Sequence, residues 1–128
     1  MPKILIAEDE QDILELIIFT LQFGGHDVIP TTNGEEALEM ARKESPDLAL
    51  LDVRMPLMSG YEVCSQIKSD LEIQHIPIVF LSAKGQEAEI KTGYEMGAVD
   101  YILKPFAPDQ LLNRLEEILT SIQAEQDI

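Results

Sequence analysis

The sequence predicts a doubly wound α/β domain, one parallel sheet of five strands with five helices divided between its faces. Three observations carry this. Short apolar runs alternate with helical patterns from one end to the other, the order that right-handed βαβ units produce. The inner runs, Leu48-Ala49-Leu50-Leu51 and residues 76–81, are apolar without alternation, as strands covered on both faces are. A chain of 128 residues, 45% hydrophobic and 26% charged, is that of one ordinary globular domain.

Each element follows in order. Ile4-Leu5-Ile6-Ala7 is a first strand. Residues 12–23 carry Ile13, Ile17 and Leu21 four apart, an amphipathic helix. Gly24-Gly25 ends it, as glycine past a helix C-terminus usually does. Asp27-Val28-Ile29-Pro30 is a short second strand whose proline marks a strand end or a sheet edge. Asn33 caps a second helix that carries Glu35 and Glu36 in its first turn. Pro46 stops that helix, and the third strand ends in Asp52. A loop over residues 55–60 leads into a third helix, residues 61–69. The fourth strand ends in Ser82. Residues 86–96 are a weaker helix, interrupted by Gly93. Tyr101-Ile102-Leu103 is the fifth strand, and Leu111, Leu115, Ile118 and Ile122 line a long final helix. Residues 1–122 are therefore expected as the domain, with 123–128 a polar C-terminal tail.

Composition excludes several functions. Nine Lys and Arg against twenty-four Asp and Glu leave a net charge of −15. Such a surface repels phosphate backbones and anionic membranes, so direct nucleic-acid or membrane binding by this chain is not expected. No apolar run approaches the roughly 18 residues of a membrane span. The single cysteine, Cys64, reads as a small core residue and suits a reducing compartment. A cytoplasmic location is expected. His26 and His75 stand near Gly or Pro in loops and do not look like phosphohistidine sites.

Ligands of doubly wound sheets bind outside the carboxyl ends of the strands. Here those ends carry Glu8-Asp9-Glu10, Asp52, Ser82 and Lys104-Pro105. Taken singly, the acids favour a helix N-terminus, Asp52 a turn, Ser82 a cap, and Lys104 the surface. Together they set two or three carboxylates, a hydroxyl and an ammonium on one edge. Two carboxylates about 4 Å apart repel by roughly 4 kcal/mol at an effective dielectric of 20. A cation belongs among them, and oxygen ligands without His or Cys favour Mg²⁺, with Mn²⁺ as a substitute. A magnesium ion, a lysine and a hydroxyl around one carboxylate are the parts that stabilise a transferring phosphoryl group. The carboxylate is then the nucleophile.

Over residues 3–120 the chain resembles the receiver domain of bacterial two-component response regulators, the chemotaxis regulators among them. The resemblance rests on Glu8-Asp9, on Asp52 in Leu51-Asp52-Val53-Arg54-Met55-Pro56, and on Gly60, Ser82-Ala83 and Lys104-Pro105-Phe106. It implies a flavodoxin-like strand order. It also implies that Asp52 is the phosphoacceptor and that Asp9, Asp52 and the Arg54 backbone carbonyl bind Mg²⁺, with Glu8 assisting through water. Ser82 and Lys104 would contact the phosphoryl group, Ser82 and Tyr101 would act as switch residues, and the Lys104–Pro105 peptide would be cis. Glu8 replaces the commoner Asp and Ser82 the commoner Thr, and neither change removes a chemical role.

The function this implies is a signalling switch. A sensor histidine kinase or histidine phosphotransfer protein donates to Asp52, and the face of the fourth helix, fifth strand and fifth helix changes shape. The domain is not a turnover enzyme beyond self-catalysed phosphoryl transfer and slow autodephosphorylation. An aspartyl-nucleophile phosphatase of the haloacid dehalogenase type fits less well, because Asp52-Val53-Arg54 lacks its second acid and follows the third strand rather than the first. A nucleotide or flavin binder fails for want of a glycine-rich phosphate loop. Arg54 and Lys84, two residues beyond Asp52 and Ser82, flank the path of an attacking water and are expected to tune phosphoryl lifetime. Lys91, Glu95, Asp100 and Arg114 resemble the face through which DNA-binding receivers dimerise, and an isologous contact pairs such charges across a two-fold axis. Two outputs stay open, a stand-alone regulator or the N-terminal receiver of a larger DNA-binding transcriptional regulator.

Overall fold

The computed structural model describes residues 2–83 and 87–126. Five strands, β1 (Lys3–Ala7), β2 (Asp27–Thr31), β3 (Leu48–Asp52), β4 (Ile78–Ala83) and β5 (Asp100–Lys104), form one sheet in the order β2-β1-β3-β4-β5. Every pairing is parallel. The helices are α1 (Gln11–Phe23), α2 (Gly34–Glu44), α3 (Gly60–Lys68), α4 (Glu87–Glu95) and α5 (Pro108–Gln126). Strand order reverses between β1 and β3, and the ligand-binding crevice of such a sheet opens there.

Alternation along the strands divides the core in two. Leu5, Ala7, Ala49, Leu51, Ile78 and Phe80 point to the face covered by α2 and α3. Ile4, Ile6, Leu48, Leu50, Val79 and Leu81 point to the face covered by α1 and α5. All five residues of β3 are buried, which is why its sequence shows no polar alternation. Cys64 is buried in the first of these cores, and burial pushes its thiol pKa up. Local chemistry sets the helix ends. Asn33 accepts from the Glu36 N–H at 2.8 Å, and Ser59 and Glu62 close a capping box over the start of α3. Gly25, at φ 86°, takes the left-handed turn after α1.

Two elements differ from their sequence pattern. α5 runs on to Gln126, four residues into the segment expected as a tail. The apolar stripe stops at Ile122, but Gln, Ala and Glu are strong helix formers and carry the helix beyond it. α4 passes through Gly93 without interruption. Gly93 is buried, and a Cβ there would stand 2.7 Å from Cδ2 of Phe80. It is a packing residue that lets α4 lie close on β4, not a helix breaker.

These two roles give opposite signs on substitution. In an exposed helix, Gly→Ala stabilises by up to about 1 kcal/mol. Here the added methyl meets a buried ring held edge-on by Tyr61 at 5.4 Å between centroids, and overpacking costs about 1–3 kcal/mol. Gly93→Ala is expected to lower the midpoint of urea denaturation.

Candidate functional site

The site follows from strand register. Ala7 pairs Leu51, so the next residues, Glu8 and Asp52, emerge side by side at the switch point. Asp52 pairs Leu81, the neighbour of Ser82, and Ala83 pairs Lys104. Four strand termini thereby converge on one edge. Gly60, at the start of α3, lies where a Cβ would be 2.2 Å from the Asp52 carbonyl oxygen. Only glycine admits that approach, which seats the loop after β3 against α3.

Glu8 has no exposed surface. One of its oxygens accepts from the Lys104 ammonium at 3.2 Å, and the other from the backbone N–H of Glu10 at 3.2 Å. The same ammonium lies 3.2 Å from Asp52 Oδ1 and 3.8 Å from Glu10 Oε1. Burial first, and then the charge of Glu8, push the Asp52 carboxyl up from 3.8 to about 7, against the lowering pull of Lys104. Burial alone would lower the Lys104 pKa, but Asp52 and Glu8 outweigh it and hold the pKa above its ordinary value. Asp9, exposed, completes a trio in which Glu8, Asp9 and Asp52 offer oxygens within 4.8 Å of one another. Such a donor set, all oxygen and beside open solvent, fits a hard divalent cation. The edge opens into a pocket of about 570 Å³ lined by Asp9, Glu10, Asp52, Arg54, Glu89 and Lys104.

Glu8, Asp9, Asp52 and Lys104 are thus brought together, with Arg54 at the rim. Ser82 is buried at the end of β4, but its hydroxyl donates to Glu89 Oε1 at 2.9 Å. The Arg54 guanidinium turns to the same carboxylate, Nε to Oε2 at 2.8 Å. Glu89 was not singled out by the sequence. In the first turn of a helix it reads as an acid complementing the dipole, and nothing marks which way it faces. Tyr101 is half-buried, packs on the α2–α3 side of the core, and meets Tyr94 edge-on at 5.6 Å between centroids. The Lys104–Pro105 peptide is cis. Lys84 lies outside the described residues. Of the four residues expected on a dimer face, Lys91 and Glu95 stand exposed on α4. Asp100 and Arg114 form an ion pair with each other inside the chain, and Asp100 also accepts from the Tyr101 N–H at 2.8 Å.

A parallel sheet of order 2-1-3-4-5 covered by helices on both faces is the flavodoxin-like arrangement of α/β domains. The chain belongs to the response regulator receiver domain family, whose model matches residues 4–116. It is 43% identical over 117 residues to the alkaline phosphatase synthesis transcriptional regulatory protein PhoP of Bacillus subtilis (strain 168), covering 91% of this chain and 48% of that protein. The chain therefore spans about half the length of that curated relative. Among solved structures it is similar to the chemotaxis response regulator CheY4 of Vibrio cholerae, at TM-score 0.87 and 31% identity, covering 92% of this chain and 98% of that one. It is also similar to NtrX from Brucella abortus, at TM-score 0.90 and 28% identity, covering 98% of this chain and 29% of that one. Receiver domains are signalling switches rather than turnover enzymes, and histidine kinases phosphorylate them. No helix among the described residues is long and apolar enough to cross a membrane.

Lys104 is the cation on which the buried carboxylates depend. Lys104→Ala leaves Glu8 buried without a counter-charge, and breaking a buried pair costs about 3–5 kcal/mol. Lys104→Ala is expected to lower stability by a large part of that range in urea titrations at neutral pH without divalent cations. Arginine at the same position should restore part of the loss.

Proposed function

We propose that this receiver is a phosphorylation-dependent switch with Asp52 as its phosphoacceptor. The observation that carries the reading is the placement of Asp52, in contact with Lys104 and beside Glu8 and Asp9, at the mouth of an open pocket. A sensor histidine kinase or a histidine phosphotransfer protein presents phosphohistidine. One Asp52 oxygen attacks phosphorus, the phosphorus–nitrogen bond breaks, and its electron pair leaves on the imidazole nitrogen, which takes a proton. Lys104 stays beside the new acyl phosphate and balances its charge. Ser82 donates its hydroxyl to a phosphoryl oxygen. Tyr101 then repacks, and the α4-β5-α5 face changes shape.

Mg²⁺ (or Mn²⁺) is the cofactor in this reading, held by Asp9, Asp52 and the Arg54 carbonyl, with Glu8 acting through water. When bound it neutralises the carboxylates and the developing charge on the phosphoryl oxygens. Both Glu8 oxygens already accept hydrogen bonds within the chain, so Glu8 serves Lys104 first. Arg54 and Lys84 tune phosphoryl lifetime. The domain acts in the cytoplasm and needs no nucleic acid or membrane contact of its own. Output through a DNA-binding half fits the length of its curated relative, with a homodimer through Lys91, Glu95, Asp100 and Arg114 as the route. Because Asp100 and Arg114 are already paired within the chain, such a dimer would exchange that ion pair rather than add one.

Incubation with acetyl phosphate and Mg²⁺ should add one phosphoryl group by intact mass, and Asp52→Asn should add none. Uptake by Asp52→Asn equal to the parent would overturn the assignment.

Mg²⁺ should also raise the melting temperature at constant ionic strength. A ligand that binds only the folded state stabilises it by about 2.7 kcal/mol at one hundred times its dissociation constant. Asp9→Ala should abolish that rise and leave the metal-free protein as stable as the parent or more so, since it removes a repelling charge.

A further inference from the structure

We propose that Glu89 is a positioning residue that keeps the receiver at rest, by holding the Ser82 hydroxyl and the Arg54 Nε, two donors that would otherwise serve a phosphoryl group on Asp52. The inference rests on the phosphoacceptor reading of Asp52. Its own observation is that one carboxylate takes both groups. Ser82 donates its hydroxyl to Glu89 Oε1 at 2.9 Å, and Arg54 Nε reaches Glu89 Oε2 at 2.8 Å. The Glu89 side chain is only 13% exposed, while that of Arg54 is 75% exposed. The glutamate is thus the fixed member of the pair and the arginine the movable one. The backbone is fixed as well, since the Tyr61 hydroxyl donates to the Glu89 carbonyl at 2.8 Å.

A serine hydroxyl has one proton to donate. While that proton serves Glu89, it cannot serve a phosphoryl oxygen. Both bonds to Glu89 are charge-assisted, the stronger class, so withdrawing them opposes phosphorylation. Phosphorylation supplies the opposing force. It adds about −1.5 to −2 charges to a pocket already lined by Asp9, Glu10, Asp52 and Glu89. The phosphoryl group then competes for Ser82 and Arg54 and repels the Glu89 carboxylate. Glu89 lies in the first turn of α4, so its release removes the polar bonds that tie that turn to β4 and to the loop after β3. The site is thereby coupled to the α4-β5-α5 face through a bond that breaks, and the resting state is favoured by what that bond contributes.

The test is beryllofluoride binding to the whole chain in Mg²⁺, read by calorimetry, with acetyl phosphate labelling by mass alongside. Glu89→Ala should bind beryllofluoride about tenfold more tightly, the worth of a charge-assisted hydrogen bond, and should label faster. Glu89→Gln keeps the shape and one acceptor oxygen but loses the charge. It should move the same way by a smaller factor, and it decides the matter if the alanine variant does not fold. In a Ser82→Ala background the gain from Glu89→Ala should shrink, because half of what Glu89 withholds is gone. Unchanged or weaker binding by folded Glu89 variants, or an undiminished gain without Ser82, would overturn the latch and leave the phosphoacceptor reading intact. A parent chain that neither binds beryllofluoride nor labels would remove both.

Discussion

One ammonium group organises the carboxyl edge of this sheet. Lys104 enters from the end of β5 and lies within 4 Å of Glu8, Asp52 and Glu10. The parallel sheet forces those acids together, because β1 and β3 are neighbours and end at the same level. Buried carboxylates without a counter-charge are costly, so fold and site are not separable here. The register that buries Leu50 and Leu51 is the register that places Asp52 beside Glu8. A slip of one residue would turn Asp52 to the other face of the sheet and undo the core with it.

That dependence explains why so much of the site was legible in the sequence. A strand's last residue has a defined place, the switch point has a defined edge, and Glu8, Asp9, Asp52, Ser82 and Lys104 are all strand-end residues. Their meeting follows from topology alone, before any side chain is placed. What was not legible depends on helix packing. Glu89 is seven residues beyond Ser82, and its direction is set by how α4 settles on β4. Gly93 looked like an interruption because propensity is counted along the chain, whereas its role is set by Phe80 across the interface. The end of α5 was misplaced because an apolar stripe reports burial, and a helix with no more core to cover can still propagate. Ser82 was placed correctly, yet the direction of its hydroxyl is a property of Glu89 and not of β4.

The charges of the pocket bear on how a switch is built from few parts. The described pocket holds four carboxylates and two cationic side chains, Lys104 and Arg54. Lys104 serves Glu8 and Asp52, Arg54 serves Glu89, and the Ser82 hydroxyl serves Glu89 as well. On the proposed reading, a phosphoryl group on Asp52 would draw on Lys104 and compete with Glu89 for the Ser82 hydroxyl and the Arg54 Nε. Lys104 can turn to it without leaving β5, since it already touches Asp52. Ser82, with one hydroxyl proton, would turn to it only by giving up Glu89, whereas the Arg54 guanidinium, with five N–H groups, could be shared between the two. On that reading, a chemical change at one atom would loosen α4 without any long chain of side chains between them. On the same reading, a pocket with an idle hydroxyl would hold a phosphoryl group without drawing Ser82 away from Glu89, and α4 would have nothing to release.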